Sequence, residues 1–127
     1  MGYVDGFVIA LPKKNIDAYI QMAKTAGEIW KKYGALDYKE CIGDDLSPNM
    51  GDMGGESITT FPELVGLKDD ETVVFSYIYF KSRAHRDEVN ALVMKDPHMS
   101  PETWKDKPMP FEMRRMSYGG FTVAVDA

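Results

Sequence analysis

Apolar residues occupy nearly every position from Val73 to Phe80 and then recur at Val89, Leu92 and Val93, so a strand runs directly into an amphipathic helix across residues 72–94. Ser82, at the junction, is a favoured N-cap, because its hydroxyl can accept a bond from a free amide of the first helical turn. Residues 3–11 form a second run, apolar at nearly every position and short enough for a buried strand. Its alternation places Tyr3, Asp5, Phe7 and Ile9 on one face and Val4, Gly6, Val8 and Ala10 on the other. The smaller set suits close contact with helices, which leaves the aromatic set on the opposite face. Next, Ile16, Tyr19, Ile20, Ala23, Gly27 and Trp30 trace one helical stripe, closed by Gly34 after Lys31 and Lys32, whose charges complement the C-terminal end of the dipole. Residues 36–42 alternate Leu36, Tyr38, Glu40 and Ile42 against Asp37, Lys39 and Cys41, the pattern of a half-exposed edge strand.

The pattern then breaks. Residues 43–60 are rich in Gly, Asp, Ser, Asn and Met, and a connector of roughly eighteen residues is longer than a compact domain normally uses, so it reads as a mobile loop, either disordered or a lid. Residues 61–67 fit either one helical turn or an edge strand. Pro97 stops the helix that begins at Ser82, and the Pro- and Met-rich segment 97–116 carries a short helix capped by Ser100 and an apolar plug at Met109, Pro110 and Phe111. Residues 117–125 form the last strand, with Gly119 and Gly120 marking a bend or a close backbone approach. The order of strand, helix, strand, strand, helix, strand predicts one α+β domain over residues 1–127, a ferredoxin-like βαββαβ antiparallel sheet with both helices on one face. Its other face, carrying Tyr3, Phe7 and one parity set of residues 73–80, would be too apolar to meet water alone. A second copy packed sheet to sheet removes that exposure, so the chain is expected to form a homodimer around a central cavity.

Composition narrows the function classes. The 127 residues are 44% apolar, enough for one core. The lone Cys41 allows no internal disulfide, and no run approaches the length of a membrane span, so a cytoplasmic protein without a membrane association is expected. A net charge of −5 opposes the counterion release that drives nucleic-acid affinity, which leaves RNA binding as a minor alternative. His85 and His98 lie on different elements with no cysteine pair to assist them, so neither a metal nor another cofactor is expected.

Two groups of residues carry candidate chemistry. Arg83, His85 and Arg86 crowd the first turn of the second long helix, where cations oppose the dipole, and an anionic ligand would explain them. Pairing of the arginines with Asp87, Glu88 or the acids of the first strand, with His85 packed on Asn90, is the plainer explanation. Asp5, set among Tyr3 and Phe7, would gain basicity on a dry face near Tyr77 or Tyr38 and could move a proton; a salt bridge to Arg83, Arg86 or Arg115 at a dimer interface is the plainer reading. Asp5 and His85 are therefore the candidate catalytic residues, and Tyr77, Tyr38, Arg83, Arg86 and Asn90 the candidate ligand contacts.

Several ordered blocks also carry a resemblance. Tyr3-Val4-Asp5-Gly6-Phe7, Glu40-Cys41-Ile42-Gly43-Asp44-Asp45, Glu71-Thr72-Val73-Val74-Phe75-Ser76, Ser82-Arg83-Ala84-His85-Arg86-Asp87 with Val89-Asn90, and Met109-Pro110-Phe111 with Arg115-Met116 and Tyr118-Gly119-Gly120-Phe121 resemble the bacterial domain of unknown function 1428 (YbaA-like) family. The resemblance implies a dimeric α+β barrel similar to that of the cofactor-independent antibiotic-biosynthesis monooxygenases. Two functions fit: a dimer that binds a small organic ligand, anionic or neutral, or serves as an interaction module, and, as the alternative, a cofactor-independent monooxygenase- or isomerase-like enzyme acting on a small aromatic substrate.

Overall fold

In the computed structural model, which describes residues 2–47 and 58–127, the chain forms β1 (Tyr3–Pro12), α1 (Ile16–Lys32), β2 (Asp37–Ile42), α2 (Phe61–Val65), β3 (Glu71–Phe80), α3 (Arg83–Lys95), α4 (Pro101–Trp104) and β4 (Met116–Thr122). The strands make one antiparallel sheet in the order β2-β3-β1-β4. This is the ferredoxin-like α+β arrangement that the alternation of elements predicts. Most of the 43–60 loop lies outside the described residues.

The local signals act where the chemistry requires them. Ser82 Oγ accepts from the His85 amide at 3.0 Å and starts α3, while Ser100 caps α4 by accepting from Thr103. Gly34 takes a φ of +116° after α1, a conformation that side-chain-bearing residues rarely adopt. The 61–67 segment resolves as a helical turn: Thr60 accepts from the Glu63 amide, Glu63 reaches back to the Thr60 amide, and Gly66 ends the turn at φ +61°. β4 ends at Thr122, short of the expected 125.

Both long helices cover the same sheet face. Ile9, Leu11 and Val74 pack with Tyr19, Ala23 and Phe111, and Ile78 and Phe80 pack with Ile29, Val89 and Val93. That pairing corrects the expected facing of β1. Tyr3, Asp5 and Phe7 point toward the helices, and the small residues Val4, Gly6 and Val8 point away, because the space under the helices is filled by large sheet side chains against small helix residues such as Ala23 and Gly27. On the outer face Gly6 and Gly119 pair with one another, and a Cβ at Gly6 would come within 3.2 Å of the Phe121 ring. The glycines there make room for an aromatic side chain, not for a helix.

The uncovered face carries Val4 and Val8 of β1, Phe75, Tyr77 and Tyr79 of β3 and Phe121 of β4, with Phe75 46% and Phe121 60% exposed. The expectation of an apolar outer face thus rests on β3 and β4, with Tyr3 and Phe7 removed from it. Phe61 of α2 meets the rim of this face, edge-on to Phe75 with ring centroids 6.3 Å apart.

Phe80 is fully buried where β3 passes under α3, so truncation there leaves a cavity that the surrounding sheet and helix cannot close. Phe80→Ala is expected to lower the unfolding free energy by about 3–5 kcal/mol in chemical denaturation, with the slope against denaturant unchanged.

Candidate functional site

Between the sheet and α1 lies a cavity of about 310 Å³. α1 supplies Tyr19, Met22, Ala23, Ala26 and Trp30, and the sheet supplies Phe7, Ile9, Tyr38, Glu40, Met116 and the β3 segment from Ser76 to Ile78. Met99, Trp104, Met109 and Phe111 close it from the 97–116 segment. That segment is held to the start of α1 by Asn15, whose side-chain amide donates to the Pro110 carbonyl at 2.8 Å. A volume of this size lies at the lower end of small-molecule sites, and apolar walls with a few convergent polar groups are their usual make-up.

Among the described residues Glu40 is the one charged side chain that lines the cavity. It projects inward because β2 alternates, putting Tyr38, Glu40 and Ile42 opposite Ile78, Ser76 and Val74 on the helix-covered face. Tyr19 donates its hydroxyl to both carboxylate oxygens, at 2.8 and 2.9 Å, Tyr38 donates at 3.3 Å, and Ser76 adds a further hydroxyl bond. Gly27 allows this approach, since a Cβ there would lie 3.0 Å from the Tyr38 ring. Burial raises the Glu40 pKa and outweighs the hydroxyl bonds, which favour the ionised form. Burial, reinforced by the Glu40 charge, likewise drives both tyrosines far above the ordinary phenol value, so they stay protonated and act as donors.

The residues singled out from the sequence fall mostly elsewhere. Asp5, its side chain 2% exposed, accepts from Arg86 Nη1 at 2.6 Å; Arg86 also donates to Tyr118 at 3.1 Å and to Asp87 at 2.8 Å and lies over the Tyr3 ring. This salt bridge forms within one chain, between β1 and α3, and not across an interface. The pairing turns Arg86 away from the free amides of α3, and Arg83 is exposed beside it. His85 accepts from the Lys81 amide at its Nδ1, 3.0 Å away, and packs edge-on against Phe80. Asn90 accepts from Trp30 Nε1 at 3.0 Å, which orients the indole that lines the cavity. Tyr77 turns its ring to the uncovered face of the sheet, away from the cavity, and bonds Asp37 there with its hydroxyl at 3.3 Å. Of the predicted ligand contacts, Tyr38 stands directly in the cavity beside Glu40.

Glu40 itself was not singled out from the sequence. The signal was available: it is an acid flanked by Tyr38 and Ile42 on the apolar side of an alternating strand, the same argument that drew notice to Asp5. Among the described residues no group of three or more His, Cys, Asp or Glu side chains could hold a metal, and no helix is long and apolar enough to cross a membrane.

Because folding raises the Glu40 pKa, the folded chain holds that proton more tightly than the unfolded one. The carboxyl therefore favours folding below its ordinary value of 4.5, and this contribution is lost as pH rises through the folded value. Glu40→Gln, which removes the charge and keeps the shape, is expected to raise the melting temperature at pH 8 and to raise it less at pH 4, measured by calorimetry.

Comparison with known proteins places the chain. Uncharacterized protein YbaA of Escherichia coli strain K12 is 39% identical over 126 residues, covering 99% of this chain and 99% of that one. The protein of the same description from Shigella flexneri matches to the same 39% over the same 126 residues. Among solved structures, a dimeric ferredoxin-like protein from an uncultured marine organism superposes with a TM-score of 0.59 over 99% of this chain and 98% of its own, at 9% sequence identity. That likeness is one of fold. The model of a family described as protein of unknown function, DUF1428, matches residues 2–113, and with this breadth of match the chain belongs to the DUF1428 family.

Proposed function

We propose that this protein binds a small, largely apolar, aromatic molecule in the cavity beneath α1, and that it does so as a homodimer. One observation carries the binding reading: the cavity is walled by aromatic and methionine side chains and holds a half-buried carboxylate supplied only with hydroxyl donors. A carboxylate there costs stability unless it serves something, whereas an apolar residue would fill the space at no such cost. The methionines and the two tryptophans lend the walls an adaptable, polarisable surface. An anionic ligand, one of the sequence expectations, fits this cavity poorly because its one charge is negative.

The homodimer reading draws on the uncovered sheet face. Val4, Val8, Phe75, Tyr77 and Phe121 surround a hollow of about 640 Å³ on it, an apolar surface of the kind that marks an interface. The marine structural neighbour is itself described as dimeric. A cytoplasmic setting accords with the exposed, unpaired Cys41.

Glu40 also favours a second reading, an enzyme that moves a proton on a bound substrate. The role first considered for Asp5 and His85 passes to Glu40, since Asp5 is neutralised by Arg86 and the His85 Nδ1 is taken by a backbone amide. Glu40-dependent deuterium exchange at an acidic C–H of a bound ligand would support that reading over simple binding.

The binding reading is tested with the neutral apolar fluorophore N-phenyl-1-naphthylamine. Its emission is expected to rise with wild-type protein, and Ala26→Trp, which fills the cavity from α1, should weaken binding at least tenfold with the circular dichroism spectrum retained. Equal binding by the variant would refute the cavity as the site. In sedimentation the wild type is expected as a dimer at micromolar concentration and Phe75→Glu with Phe121→Glu as a monomer; a wild-type monomer would refute the dimer.

A further inference from the structure

Among the described residues the fully buried acids each have a basic partner, and the half-buried Glu40 departs from that rule. Asp5 is paired with Arg86, Glu71 with Arg115, and Asp96 with Lys32 and His98. Glu40 has no basic partner among the described residues; it is held by Tyr19, Tyr38 and Ser76 alone. Glu40 is also the acid that faces the cavity, and among the described residues no lysine, arginine or histidine lines that cavity.

Basic residues lie close by without reaching it. Lys24 and Lys31 of α1 and Lys39 of β2 line a groove on the outer side of Glu40, together with Glu28 and Asp37. Lys31 is bonded to the Leu36 carbonyl and Lys39 to Asp37, 2.5 Å away. The missing positive charge is therefore absent from the side of the carboxylate where a ligand would lie. Around that space stand the rings of Phe7, Tyr19, Trp30, Tyr38, Trp104 and Phe111, whose faces attract cations.

We infer that the cavity's ligand is a hydrophobic cation, an aromatic or bulky apolar body carrying an ammonium group, whose charge completes the pair that Glu40 lacks. This rests on the binding reading above and narrows it to a chemical class. The net charge of −5 adds a favourable field for the approach of a cation. Binding requires ionised Glu40, so a cation's affinity rises with pH as the Glu40 proton leaves, whereas that of a neutral molecule of the same shape does not.

Calorimetric titration with 1-naphthylmethylamine, 1-naphthalenemethanol and 1-naphthoate separates the possibilities, since the three share one ring system and differ in charge. The amine is expected to bind at least tenfold more tightly than the alcohol at pH 7.5, with the carboxylate weakest, and its advantage should shrink at pH 5. Glu40→Gln should collapse the amine and the alcohol to similar affinities, while Lys39→Met leaves the preference in place. Equal wild-type affinity for amine and alcohol, with both lost in Ala26→Trp, would overturn the cation inference and leave the cavity reading standing. Binding of all three undiminished by Ala26→Trp, or no binding of any, would overturn both.

Discussion

The pairing of β1 with its two neighbours is the constraint on which the rest of this structure depends. β1 runs antiparallel to β3 over ten residues and to β4 over seven, at the centre of a four-stranded sheet. Because side chains alternate, a slip of one residue would exchange the two faces completely. In the observed register Asp5 meets Arg86 beneath α3, Phe7 and Ile9 form part of the cavity wall, and Gly6 and Gly119 leave the outer face open for Phe121. β3 transmits the same parity to β2, and through it Glu40 turns inward instead of toward water. One register thus fixes the core, the buried salt bridge and the site.

The sequence carried most of the architecture and only half of the site. Periodicity located the strands and both long helices, since Val89 and Val93 recur at helical spacing and Gly34 and Ser82 supply chain-end chemistry that depends on near neighbours. The facing of β1 was not legible in the same way. Small residues on one side of a strand indicate that something comes close, but not whether that is a helix or, as here, an aromatic ring from the adjacent strand. Asp5 drew notice as an acid on an aromatic face, yet its role depends on Arg86, 81 positions away, and no local pattern encodes that pairing. Glu40 could be read as an inward-facing acid, but its lack of a cation is a property of the assembled surroundings.

The contrast between Asp5 and Glu40 separates structural from functional use of a buried charge. Asp5 and Arg86 satisfy one another, with Tyr118 and Asp87 taking further guanidinium bonds, so the pair joins α3 to the sheet. Removing either partner would strand a charge, the usual reason such pairs persist. Glu40 receives hydroxyls that orient it without neutralising it, and it borders empty space. The 97–116 segment adds to this arrangement, because Met99, Trp104, Met109 and Phe111 close the cavity with side chains that can rearrange around an occupant.

Site-resolved NMR titration of the Glu40 side-chain carboxyl carbon tests the account most directly, because it reads the protonation of the group on which the cavity's chemistry turns. The account predicts a midpoint above the ordinary 4.5, moving downward when 1-naphthylmethylamine is bound. A midpoint at or below 4.5 in the free protein would show a carboxylate already compensated, and would contradict it.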